Sequence, residues 1–100
     1  MVSLTGLPSV ALAGNWQKPW SAEKESAAER CEKSFAAFQL QAICMDGERD
    51  GYGKMQGNFG MPADIAQKVK TRCAKNFDAF QLQAVCMENE KEGYAKIKGY

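Results

Sequence analysis

Apolar residues between Pro62 and Phe77 recur every four positions, at Ile65, Val69, Cys73 and Phe77, which draws one stripe along a helix. Pro62 stands where a first helical residue tolerates the loss of its N–H, and Asp64 follows in the turn that favours negative charge. A second stripe, Phe80, Ala84, Met87 and Tyr94, predicts a further helix downstream. Nearer the start, Ser21 is placed to cap a helix, with Glu23, Glu25 and Glu29 on the side that complements the helix dipole. Opposite charges four apart, Glu29/Lys33, Asp50/Lys54 and Glu92/Lys96, stand in the stabilising order for exposed helical faces. No stretch alternates with the period of a strand. The predicted class is all-α.

The pattern is written twice. Arg30–Asn58 lies over Arg72–Tyr100 without gaps, at an offset of 42 residues, the distance from Cys31 to Cys73. Cys44 coincides with Cys86, Gly51-Tyr52 with Gly93-Tyr94, and the run Ala37-Phe38-Gln39-Leu40-Gln41-Ala42 returns unchanged from Ala79. Agreement of this length marks an internal duplication. Two copies are few for a solenoid, so the pair is expected to pack together and close as one domain. The organisation expected is a leader over 1–13, a short lead over 14–20, a first hairpin over 21–58 and a second over 59–100.

Whether each copy is one helix or two decides how the cysteines pair. Thirteen residues of helix turn through about 1300°, leaving Cys31 and Cys44 about 140° apart in phase. One rigid helix cannot aim both at the same neighbour. In the second copy Asn76 suits a left-handed C-terminal cap, and Asp78 with Gln81 makes a capping-box pattern, so a stop and a start fall together. The first copy has Ser34-Phe35-Ala36-Ala37 there, without the Asp, and its bend is inferred from the repeat. Two short antiparallel helices per copy favour the pairs Cys31–Cys44 and Cys73–Cys86. The rival is two long helices joined at Gly57–Pro62, with Cys31–Cys86 and Cys44–Cys73. That format is similar to the twin-cysteine helical hairpins of the mitochondrial intermembrane space, whose cysteine spacings are shorter.

The pattern Cys-x3-aromatic-x2-Phe-x-Leu-Gln-x2-Cys, running from Cys31 through Phe35, Phe38, Leu40 and Gln41 to Cys44 and again from Cys73, resembles a motif of small exported bacterial α-helical proteins. The resemblance implies architecture and compartment, and carries no catalytic or binding residue.

Composition narrows the chemistry. One hundred residues support one domain. With 13 basic and 12 acidic side chains the net charge is +1, too even a balance to steer the chain to nucleic acid or anionic lipid. The absence of histidine excludes Ser-His-Asp triads, Cys-His pairs and His-containing zinc sites. Met1–Ala13 is uncharged, carries Leu4, Leu7, Val10 and Leu12, and ends in Ala11-Leu12-Ala13, the small-residue pattern of a signal-peptide cleavage site. The basic n-region is missing, so this reads as a truncated signal peptide. Export to the periplasm or beyond, with no stable membrane insertion after cleavage, makes an even cysteine count a disulfide framework.

The remaining candidates are few. Cys44-Met45 and Cys86-Met87, with Met55 and Met61, offer soft ligands for Cu(I), although adjacent helical residues point about 100° apart. No Cys-x-x-Cys marks a thiol redox site. Asp46, Glu48 and Asp50, like Glu88, Glu90 and Glu92, stand among Arg49, Lys54, Lys91 and Lys96, the composition of a solvated face rather than of an acid–base pair. No catalytic residue, cofactor or metal ligand is assigned. Phe38 and Phe80 are expected in the core, and Leu40 and Leu82 between hairpins related by a pseudo-twofold. Trp16 and Trp20, with Tyr52 and Tyr94, are the candidate contacts for a protein partner; the alternative for the tryptophans is a lid folded over the helices. The function expected is a non-catalytic interaction or structural module.

Overall fold

Both copies of the repeat are cut by a short bend, and the bends set the architecture. The computed structural model describes residues 14–100; residues 1–13, where a signal peptide is expected from the sequence, lie outside the described residues. A single 3-10 turn, Asn15–Gln17, leads into four helices: α1 Trp20–Ser34, α2 Phe38–Met55, α3 Ala63–Asn76 and α4 Phe80–Gly99. Disulfides Cys31–Cys44 and Cys73–Cys86 staple α1 to α2 and α3 to α4, with Cα atoms 5.7 and 5.8 Å apart. The fold is two tandem disulfide-stapled helical hairpins. The rival of two long helices with inter-repeat disulfides is thereby overturned, because the interruptions at 35–37 and 77–79 bring each cysteine pair face to face within its own hairpin.

The bends form by other means than the predicted caps. Asn76 stays helical, and the chain leaves α3 through Phe77 in an extended conformation, φ −136° and ψ 127°; Phe35 does the same after α1. Neither Ala37 nor Ala79, the N-caps of α2 and α4, has a side chain able to cap, and the Asp78–Gln81 box does not form. A glutamine one turn into the following helix reaches back instead. Gln41 Nε2 donates to the Phe35 carbonyl at 2.8 Å, and Gln83 Nε2 to the Phe77 carbonyl at 2.7 Å. These bonds satisfy carbonyls that the end of a helix leaves without an intrahelical donor. At the other ends, Pro19 and Pro62 are themselves the N-caps, their carbonyls accepting from Ala22 and Ala66, so Ser21 falls inside the first turn of α1. Of the three charge pairs expected at i,i+4, Asp50–Lys54 closes, at 3.2 Å.

Within each hairpin the two helices pack together, and α2 crosses α4 to join the halves. The crossing places the C-terminal part of α2 on the N-terminal end of α4. It is close enough that a Cβ on Gly51 would come 2.6 Å from the Phe80 carbonyl, a contact that glycine alone avoids. One apolar cluster results, joining Phe80, Met87, Val69 and Cys73 from the second repeat with Met55 from the first and Trp16 from the lead. The molecule is a slab, 47 × 44 × 18 Å.

The slab lacks the twofold expected of it. Phe80 is fully buried, whereas Phe38, its counterpart, is 84% exposed. Met55 is buried and its counterpart Ile97 is 69% exposed. The repeats pack head to tail: the tail of α2 meets the head of α4, and among the described residues the head of α2 and the tail of α4 have no corresponding partner across the repeats. Leu40 and Leu82, expected between the hairpins, are about half exposed. The buried stripe of α4 runs through Phe80, Gln83, Ala84 and Met87, and Leu82 lies about 200° around from Phe80.

Candidate functional site

The best-organised constellation is the seat that the first hairpin builds for the head of α4. Glu48 enters it from the middle of α2 and is only 3% exposed. Its Oε1 accepts the Phe80 N–H at 3.1 Å, and its Oε2 accepts the Gln81 N–H at 3.3 Å. The carboxylate therefore caps α4 from a different helix, at the end where negative charge is favoured. Arg30, on α1, donates to Glu48 Oε1 at 2.6 Å and places its guanidinium 5.6 Å from the centre of the Phe80 ring. Tyr52 meets that ring edge-on at 5.2 Å, and Trp20 stands tilted 6.2 Å away. Gly51 supplies the floor.

The second hairpin repeats the paired Arg and Glu and the Gly-Tyr step of this seat, with Asn89 where the first has Gly47, and among the described residues no helix end rests on it. Arg72 donates to Glu90 at 2.6 Å, the counterpart of the Arg30–Glu48 pair at an identical separation. Around it an open groove of about 450 Å³ is lined by Ile65, Val69, Gly93, Tyr94 and Ile97, with Lys68 at its edge. Gly93, where Gly51 has the Phe80 backbone against it, would have nothing within 4 Å of an added Cβ. Among the described residues no helix N-terminus reaches Glu90.

The four aromatic residues expected to meet a partner are committed internally, to differing degrees. Trp16 is buried at 7% exposure, packed in the core, with the Lys70 ammonium 4.7 Å from its ring centre. Burial lowers the pKa of Lys70. Trp20 and Tyr52 are half-buried, their rings tilted against each other with centres 5.5 Å apart, and Tyr52 Oη donates to the Lys18 carbonyl at 2.7 Å. Gln56 adds a bond to the Trp16 carbonyl, and Asn15 reaches the second repeat, donating to the Asp78 carbonyl and accepting from Gln83. The tryptophans thus form the lid of the alternative reading rather than an open contact surface, because the lead 14–20 straps repeat one to repeat two. Tyr94, half-buried, is the one of the four that lines an open groove.

Sulfur chemistry is constrained by the same frame. Cys31, Cys44, Cys73 and Cys86 are all disulfide-bonded, and Met55, Met61 and Met87 are buried in the core. The Cys-Met steps therefore present no thiolate for Cu(I). Among the described residues no three His, Cys, Asp or Glu side chains converge on one point. Asp46, Asp50 and Lys54 share an exposed patch on α2, as the solvated-face reading had it, but Glu48, counted with them in that reading, is turned inward and buried.

The groups that sequence reasoning passed over are Arg30, Glu48, Arg72 and Glu90. Their signal was present, since the Arg and the Glu return at the same place in both copies; read as surface charge, they were not paired. No protein-family model matches this chain, and no curated protein and no solved structure matches it significantly.

Proposed function

We propose that the protein is a non-catalytic interaction module of the periplasm or extracellular space, and that the open groove of the second hairpin is its binding site. The observation that carries this reading is the equivalence of the two seats: one is filled by a helix end from the same chain, and the other has the same paired Arg and Glu and the same Gly-Tyr step but is open. A concave apolar groove with one paired Arg and Glu in its lining has the composition of a peptide- or protein-binding site. Two disulfides in so short a chain suit an oxidising compartment, and no helix among the described residues is long and apolar enough to cross a membrane. The signal-peptide pattern, with cleavage after Ala13, narrows that compartment to the periplasm or medium, and intact mass of the exported protein beginning at Gly14 is the expected result.

Binding is tested by placing a photo-crosslinking phenylalanine analogue at Ile97, on the groove's rim, and irradiating the producing cells. A discrete protein adduct at position 97, lacking when the analogue replaces the exposed Glu25 on α1, is the expected outcome. A chain that forms no adduct at either position would overturn the binding-module reading.

A further inference from the structure

We infer that the occupant of the open groove is the exposed head of α2, carrying Phe38, from a second copy of this chain, so that the protein associates head to tail. The inference rests on the groove being a binding site and names what fills it. Inside one molecule the contact already exists once: a Phe at the head of a helix, following a Gln-capped bend, sits in a seat made by an Arg–Glu pair, a Gly and a Tyr. The duplication makes a second copy of each half. The second seat is Arg72, Glu90, Gly93 and Tyr94, and the second plug is Phe38. Among the described residues neither has a mate.

Both halves are open in the way that the contact requires. Phe38 is 84% exposed, the opposite of where an aromatic residue of this size ordinarily rests. The α2 N-terminus has no side-chain cap, whereas the same N–H groups of α4 are bonded to Glu48. Glu90 holds its Arg partner but receives no helix N-terminus. The bend that presents Phe38 is built like the one that presents Phe80, held by Gln41 as the other is by Gln83. Docking would therefore give the Phe38 and Gln39 N–H groups a carboxylate, place Phe38 under the Arg72 guanidinium and cover Ile97 and Tyr94.

Such a contact is heterologous, since the two molecules use different surfaces, and each new copy arrives with the same two free halves. The product is a closed ring or an open chain, according to the rotation between neighbours. The contact between molecules is weaker than the one within. Trp20, which packs on Phe80, has Pro62 as its counterpart, and Trp16 has Asn58, so the second seat lacks both indoles. No linker holds its two sides together either. Reversible, concentration-dependent association is expected.

Sedimentation velocity of the oxidised chain tests this, with two variants that each destroy one half. Phe38→Asp removes the plug from a side chain that the fold leaves in solvent, and Gly93→Trp fills the seat at a position with open space around it. The wild type is expected to sediment faster as its concentration rises, and each variant to remain monomeric with unchanged helical circular dichroism. An equimolar mixture of the two is expected to form a one-to-one heterodimer that grows no further, because it retains a single intact plug and a single intact seat. A wild type that stays monomeric up to ~1 mM, where even weak specific association is populated, overturns the inference. Association of Gly93→Trp alone to the wild-type extent also overturns it, since the contact then does not use the seat. An Ile97 adduct to a different protein alongside a monomeric wild type sinks self-association and leaves the binding-module reading standing. An Ile97 adduct of twice the chain mass supports both.

Discussion

Glu48 and Glu90 occupy the same place in two copies of one motif, yet physical chemistry assigns them different weights. Glu48 is buried, caps α4 through two backbone N–H groups and holds Arg30. Glu48→Gln removes a charge from all three interactions and leaves Arg30 half-buried without its counter-ion, at a cost of about 2–4 kcal/mol. Glu90→Gln breaks a pair open to solvent and is expected to change stability by less than about 1 kcal/mol. Urea unfolding of the two variants compares them, and equal losses would show that Glu48 is no cap. Lys70 gives a pH dependence of definite sign. Its pKa is lowered by burial, so between that value and the ordinary lysine value of 10.5 the unfolded chain binds more protons than the folded one. Stability contributed through Lys70 therefore rises with pH across that window, and is lowest where the ammonium is charged in both states. Lys70→Met removes the dependence. Against urea, the gain in stability between pH 8 and pH 10.5 is expected to be larger in the wild type than in Lys70→Met, and the difference between the two isolates the contribution of this side chain.

Helix class, helix number and disulfide pairing were legible in the sequence because each rests on local rules: period, phase and repeat. Of the predicted stripes, Val69, Cys73, Phe80, Ala84 and Met87 are buried as the spacing implies, Ile65 and Tyr94 are half-buried, and Phe77 is exposed because it leaves the helix into the bend. The bend chemistry was misread, because a Gln that reaches back six residues to a carbonyl resembles no standard cap, although its return as Gln41 and Gln83 was visible. Head-to-tail packing was not legible at all. The heads of the two helices are identical from Ala37 and Ala79 to Ala42 and Ala84, so Phe38 and Phe80 read alike and differ only through tertiary choice. The glycines display this choice at the level of the element. Gly51→Ala forces a Cβ into the Phe80 carbonyl and is expected to destabilise by about 1–3 kcal/mol. Gly93→Ala adds the same methyl to an open helical face and is expected to stabilise by up to about 1 kcal/mol, the ordinary gain in helix propensity. Thermal or urea unfolding reads both, and effects of the same sign would contradict the asymmetric crossing.

At the scale of the molecule, the junction of α2 and α4 decides whether two stapled hairpins behave as one domain. The disulfides lie within the hairpins, so none of them ties the halves together. What joins them is the Phe80 seat, the strap 14–20 and the chain between α2 and α3. In a slab 18 Å thick there is no second core to compensate if this one opens. Removal of the Phe80 side chain leaves a void beneath Tyr52, Trp20 and Arg30 and is expected to cost about 3–5 kcal/mol. Phe38→Ala, the same change at the equivalent residue, is expected to cost less than about 0.5 kcal/mol, since an exposed ring is packed on little. The two tryptophans lie in the strap and report the junction by fluorescence, while circular dichroism reports all four helices. In the wild type the two signals are expected to change together on heating, as one cooperative unit requires. In Phe80→Ala the fluorescence transition is expected to move to lower temperature ahead of the loss of helix, because the hairpins part before their stapled helices melt. Coincident transitions in Phe80→Ala, or equal losses from Phe38→Ala and Phe80→Ala, would mean that the junction is not the element that makes the two repeats one protein.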